Sequence, residues 1–262
     1  MKKAAFILPG FALIAGAVGC FLRKRELLLA FDGEGFPISG AAQSTALIVF
    51  SAVVLAILLA FAIFSTRQYK LLVGFENIFG TDLLSYPIAL VSIGFVWFGA
   101  TGMIAYEYFS SGNTAVFDLF YLILSALSAI SIILFAILVY QDPRKKMIFA
   151  LCMVPIIFTC FWLILLYRQN ASNPFLLSYV YTFLAVMFST LSFYYTAGFA
   201  YGKTTAGGTI FCNLTAVYFC FVTLADPIGF PAKVILAAIL ASNIIHTSNL
   251  LKYIQRKDVL PC

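Results

Sequence analysis

The residues 233–252, KVILAAILASNIIHTSNLLK, hold the densest set of side chains able to do chemistry. Ser242, Asn243, His246, Thr247, Ser248 and Asn249 crowd the second half of a stretch long enough to cross a bilayer as a helix. At about 100° per residue, Ser242, His246 and Asn249 share one stripe, with Asn243 and Thr247 beside it. Leu240, Ile244 and Leu251 lie roughly opposite, so the polar stripe is expected to face protein or water and Ile244 and Leu251 to face away from it. His246 is the only histidine of the chain. An imidazole with its ordinary pKa near 6.5 can bind a ligand or pass a proton. Asn213, on the preceding apolar segment, is the nearest polar partner at comparable depth. The candidate ligand-binding set is therefore Asn213, Ser242, Asn243, His246 and Asn249. The bland alternative is that these groups hydrogen-bond between helices, worth about 0.6 kcal/mol each.

Catalysis is not expected. His246 has no paired nucleophile or carboxylate in its segment, so neither a triad nor a metal set can be read. No catalytic residue, cofactor or metal is assigned. Cys152 and Cys160, and likewise Cys212 and Cys220, fall about 80° apart on their helices. A redox or metal pair is conceivable, but cysteine in apolar surroundings more often packs as a small hydrophobe. All ten carboxylates fall in loops or near helix ends, whereas ion-driven transporters commonly carry one in mid-membrane. No phosphate loop, dinucleotide fingerprint, HExxH or CxxC occurs.

What must position these groups is a bundle of membrane helices. Apolar residues make up 63% of the chain and charged residues 10%, against about 45–50% and 25% in a soluble domain. Such a chain cannot cover a water-facing surface. The expected fold is all-α: one polytopic domain of eight spans, at about 4–22, 41–64, 86–105, 117–140, 147–166, 175–199, 208–225 and 232–251. Ser125, Ser128 and Ser131 lie at helical spacing and read as packing contacts. Gly16 and Gly19 belong to small-xxx-small pairs suited to close helix contact. A second reading of the first segment is a lipoprotein signal cleaved after residue 19, before Cys20. A shift of 60 residues lays LCMVPIIFTCFW on FCNLTAVYFCFV, which suggests three similar hairpins in spans three to eight, with the first two outside the pattern.

Alternating the loops puts eleven Lys and Arg residues on one side and five on the other. The positive-inside rule then places both termini in the cytoplasm. Arg23, Lys24 and Arg25 are the exception, three charges on the outer side, where they are either tolerated or bind something anionic. The positive charge itself sits in short loops, which is a topology signal and no sign of nucleic acid.

The stretches RKRELLLAFDGEGFPISG (23–40), WLILLYRQNASNPFLLSYVY (162–181) and YYTAGFAYG (194–202) resemble a group of uncharacterised bacterial integral membrane proteins. That resemblance implies a bacterial inner-membrane location and nothing catalytic. The leading expectation is a non-enzymatic, membrane-embedded partner or small-molecule- or lipid-handling subunit. Its partners are the bilayer and either another membrane protein or a small ligand. The first alternative is a permease with its site among spans five to eight near His246. An intramembrane enzyme is the weaker second one. A polar cavity beside His246 would favour the permease, and a solid core with an exposed small-residue groove would favour the partner.

Overall fold

In lipid every backbone polar group must be bonded within the protein, and a helix achieves this within a single segment. The computed structural model describes residues 4–32, 36–38, 40–71, 84–112, 115–142, 146–171, 175–202, 206–252 and 254–256. Its eight long helices are α1 (Ala4–Leu29), α2 (Ala42–Gln68), α3 (Ser85–Ser110), α4 (Val116–Gln141), α5 (Met147–Asn170), α6 (Val180–Ala200), α7 (Ala206–Thr223) and α8 (Phe230–Lys252). All eight contain a stretch long and apolar enough to span a bilayer. The chain is an integral membrane protein with an all-α bundle.

Among the described residues, a strand pair, a 3-10 turn and an isolated bridge between Phe31 and Pro37 depart from helix. Strand β1 (Tyr69–Leu71) pairs antiparallel with β2 (Ile254–Arg256), joining the end of α2 to the chain beyond α8. A 3-10 turn at Leu176–Ser178 precedes α6. The sixth span therefore starts later than the expected residue 175. The first is longer than expected: α1 continues through the basic triplet to Leu29, one continuous helix past residue 22.

Six helices close a ring. Each of α3 to α8 packs on the next, and α8 returns to pack on α3. Outside the ring, α1 lies on α7 and α8, and α2 lies on α1 and α7. This division of the helices coincides with the one suggested by the 60-residue shift. The shared letters do not share surroundings, however: Cys160 is exposed and Cys220 is buried, because α1 and α2 cover α7 and nothing comparable covers α5.

Hydropathy tracks this layout. The most apolar window, mean hydropathy 3.1, belongs to α2, which exposes Ile48, Val49, Val53, Ile57, Leu59, Ile63 and Phe64. Among the least apolar is α7, at 1.4, and none of its residues is exposed. A helix enclosed on all sides by protein can carry Asn213, Thr215 and Tyr218, which lipid would not satisfy. Close approach by α1 makes that enclosure possible. A Cβ at Gly16 would stand 2.7 Å from Phe221 Cβ, and one at Gly19 would stand 2.7 Å from Val222 Cγ2. The small-residue face of α1 is thus occupied by α7.

Helix direction defines two ends. The distal end gathers the ends of α1, α3, α5 and α7 with the starts of α2, α4, α6 and α8. The proximal end carries the β1–β2 pair.

Candidate functional site

The ring axis is not uniformly filled. At the distal end a vestibule of about 570 Å³ opens among α3, α4, α5, α6 and the α7–α8 turn. Glu107, Tyr108 and Ser111 of α3 and Asp118 of α4 line it, with Gln169 of α5 and Thr182 of α6. Pro227, Gly229 and Pro231 form its wall on the turn. Tyr121 and Trp162, both buried, reach it from below. Among the described residues the lining holds two carboxylates and neither Lys nor Arg.

Below the vestibule lies a layer of rings. Tyr121 packs on Trp162 at 5.7 Å and on Phe158 at 5.3 Å between centroids. Phe158 packs edge-on to Trp97 at 5.4 Å. Such edge-to-face pairs stabilise beyond their buried area. The indole N–H of Trp97 donates to Ser125 Oγ at 3.1 Å. Ser125 and Thr101 share a 2.7 Å hydroxyl contact, and Thr101 Oγ1 returns its proton to the Trp97 carbonyl at 3.0 Å. Every polar atom of this small circuit is satisfied, which fixes the tryptophan in place.

Under the layer is a second, smaller cavity of about 40 Å³. It is lined by Leu90, Ser131, Ile132, Phe135, Leu151, Cys152, Pro155, Phe193, Thr196, Ala197, Ser242 and His246, none of which lines the vestibule. Its origin is local and readable. Pro155 inside α5 cannot donate to the Leu151 carbonyl four residues back. The Ser131 hydroxyl on α4 is shared between that carbonyl, at 3.3 Å, and the Ser128 carbonyl of its own helix, at 3.2 Å. Ser128, which donates to the Leu124 carbonyl at 2.8 Å, also lies 3.5 Å from the Val154 carbonyl. The serines thus do bring backbones together, and one of them partly replaces a bond that the proline removed.

The predicted polar stripe of α8 does turn inward. Ser242, Asn243, His246, Thr247 and Asn249 are all buried. Ser242 and His246 reach the small cavity. His246 Nδ1 lies 3.1 Å from the Tyr86 hydroxyl of α3, with Phe135 edge-on at 6.3 Å. Asn213 and Asn243 meet through a residue that the sequence reading did not single out. Ser192 Oγ of α6 lies 2.7 Å from the amide oxygen of Asn213 and 2.5 Å from that of Asn243. One hydroxyl carries one proton, so it can donate to only one of these amides. A 180° rotation of the other amide would let its NH2 donate to Ser192 instead. Asn249, seven residues after the cavity-lining Ser242 on the same stripe, lines neither cavity.

The side of α8 opposite the stripe is also largely covered by protein. Ile244 is half-buried, but Leu251, placed opposite the stripe, is fully buried. With α1, α3 and α7 all packed against α8, the helix keeps little surface for lipid.

The sequence reading missed a charged cluster behind the vestibule wall. Arg23 is fully buried. Its Nε donates to Asp226 Oδ1 at 2.6 Å, its Nη1 to Glu26 Oε2 at 2.7 Å and its Nη2 to the Ser178 carbonyl at 3.1 Å. The guanidinium also lies 4.7 Å over the Tyr181 ring. Thr182 donates to the second Asp226 oxygen at 2.7 Å. Burial pushes the Asp226 carboxyl above its usual value, while Arg23 and the Thr182 hydroxyl pull it down. So Arg23 does not sit in an outer loop, as expected. It joins α1 to the start of α6 and to the α7–α8 turn. Lys24 and Arg25 are exposed.

The cysteines offer little chemistry. Cys20, Cys152, Cys160, Cys212 and Cys220 are free, and no metal-binding group of His, Cys, Asp and Glu occurs among the described residues. No family model, curated protein or solved structure matches the chain.

Proposed function

We propose that the protein is a small-molecule permease of the bacterial inner membrane, entered from the outer face through the vestibule. The observation that carries this reading is a 570 Å³ chamber on the axis of a closed helix ring, within the usual range for small-ligand sites. A second cavity lies deeper on that axis beside His246. Two carboxylates and three aromatic side chains without a basic residue suit a small organic cation, since ring faces and carboxylates both attract positive charge. The charge count of the loops supports an outward-facing distal end.

Of the two tryptophans of the chain, Trp97 is buried and Trp162 lines the vestibule. Titration of the purified protein with tetraethylammonium is expected to change tryptophan emission saturably. Trp162→Phe should remove most of that change, and Glu107→Gln with Asp118→Asn should weaken the binding. Emission that never responds in the parent protein would count against the reading. For orientation, Ser111→Cys is expected to react with an impermeant thiol reagent on intact cells, and its protection would reverse the assignment.

One observation favours a membrane-embedded partner instead. Gly99 and Gly102 of α3 are exposed with open space beside them, which would admit another helix. Crosslinking from Gly99→Cys to a second protein would support that reading.

A further inference from the structure

We infer that the small cavity beside His246 is a hydrated station within the membrane, holding a water molecule through Thr196. This does not depend on what occupies the vestibule. Thr196 lines the cavity, is 7% exposed and has no hydrogen-bond partner for Oγ1 among the described residues. A hydroxyl left dry in such a place forfeits the desolvation cost of a polar group. The space is sufficient, because one water needs roughly 10–15 Å³ measured in this way and the cavity offers about 40 Å³. The lining also supplies the further polar groups that a buried water requires. Ser242 and Ser131 donate to the Ile239 and Leu151 carbonyls respectively, so each hydroxyl oxygen can still accept a bond. His246 lines the same cavity and contacts Tyr86 through Nδ1.

An apolar cavity of this size would stay empty. This one has four polar side chains on a ring of otherwise apolar ones. The occupant is therefore water. It extends the Tyr86–His246 pair towards Thr196 and makes a chain of exchangeable protons where the sequence shows no mid-membrane carboxylate.

Radiolytic hydroxyl-radical footprinting of the full chain in lipid nanodiscs tests this, because radicals formed from bound water modify the side chains beside it. Phe193 lines the cavity, whereas Phe219, also buried, does not. Phe193 is expected to be modified severalfold more than Phe219. Thr196→Val should lower that ratio severalfold, and Thr196→Ser, which keeps the hydroxyl, should preserve it. Equal modification of the two phenylalanines in the parent protein would overturn the inference. So would a ratio unchanged by Thr196→Val, or one lost in Thr196→Ser. If Thr196→Val does not fold, the parent ratio and the Thr196→Ser ratio still decide.

Discussion

Two polar clusters tie the helices together, and they do so by different chemistry. At the distal end, Arg23, Glu26 and Asp226 form a buried charged group spanning 203 residues of sequence. Near mid-span, Ser192, Asn213 and Asn243 form a neutral group joining three consecutive helices. Charge is costly to bury unless paired, so the first cluster is all-or-none. Neutral amides and hydroxyls can exchange partners, so the second tolerates rearrangement. The chambers follow the same division. The wide vestibule has its wall fixed by the ionic cluster through Thr182 and the turn, while the narrow cavity is bounded by hydroxyls that bond to nearby carbonyls.

The contrast is broken most strongly at Arg23. Arg23→Leu strands Asp226 and Glu26, and the expected loss is about 3–5 kcal/mol, read from thermal or denaturant unfolding in detergent. Replacing all three by Arg23→Met, Glu26→Leu and Asp226→Asn should unfold closer to the parent than the single change does. A single variant as stable as the parent would show that the cluster is not the distal clamp. At the neutral cluster, Ser192→Ala should cost less, about 1–2 kcal/mol, since the two amides can turn towards each other. A loss as large as that of Arg23→Leu would erase the distinction drawn here. The smallest effect is expected at Tyr86→Phe, about 0.6 kcal/mol, the mean for a hydrogen bond between membrane helices. A much larger loss there would mean that the Tyr86–His246 pair is a structural keystone.

These differences also explain what the amino-acid sequence could reveal. The stripe on α8 was legible because helical period and lipid intolerance together dictate which way Ser242, Asn243 and His246 turn. The number of spans followed from length and apolarity. Ser192 was not legible, since one of two serines in a span rich in hydroxyls and tyrosines has no distinguishing neighbour. Arg23 was misread because its charge belongs to a basic triplet and its main partner, Asp226, lies in a distant turn. The only local hint was Glu26 three residues on, placing an acid and a base on one helical face. The vestibule could not be read either, because its lining comes from five helices whose order around the ring is a tertiary fact. The cavity beside Pro155 was partly readable: a proline in one span and a ladder of serines in the one before it invite the bond seen from Ser131.

The enclosure of α7 bears on how the chain is assembled. Helices enter the bilayer in order of synthesis, and α7, weakly apolar and carrying Asn213, is among the segments least suited to lipid on its own. Its berth is made by α1 and α2, both synthesised before it, and by α6, its immediate predecessor. During the interval Arg23 has no Asp226 to meet, so the end of α1 must wait at the membrane surface with its charge in water. Arrival of the α7–α8 turn draws that charge inward and seats α1 along Gly16 and Gly19. Seating α1 is thus a late event in biogenesis, and a chain truncated before residue 226 would leave its first helix without the ion pair that anchors it.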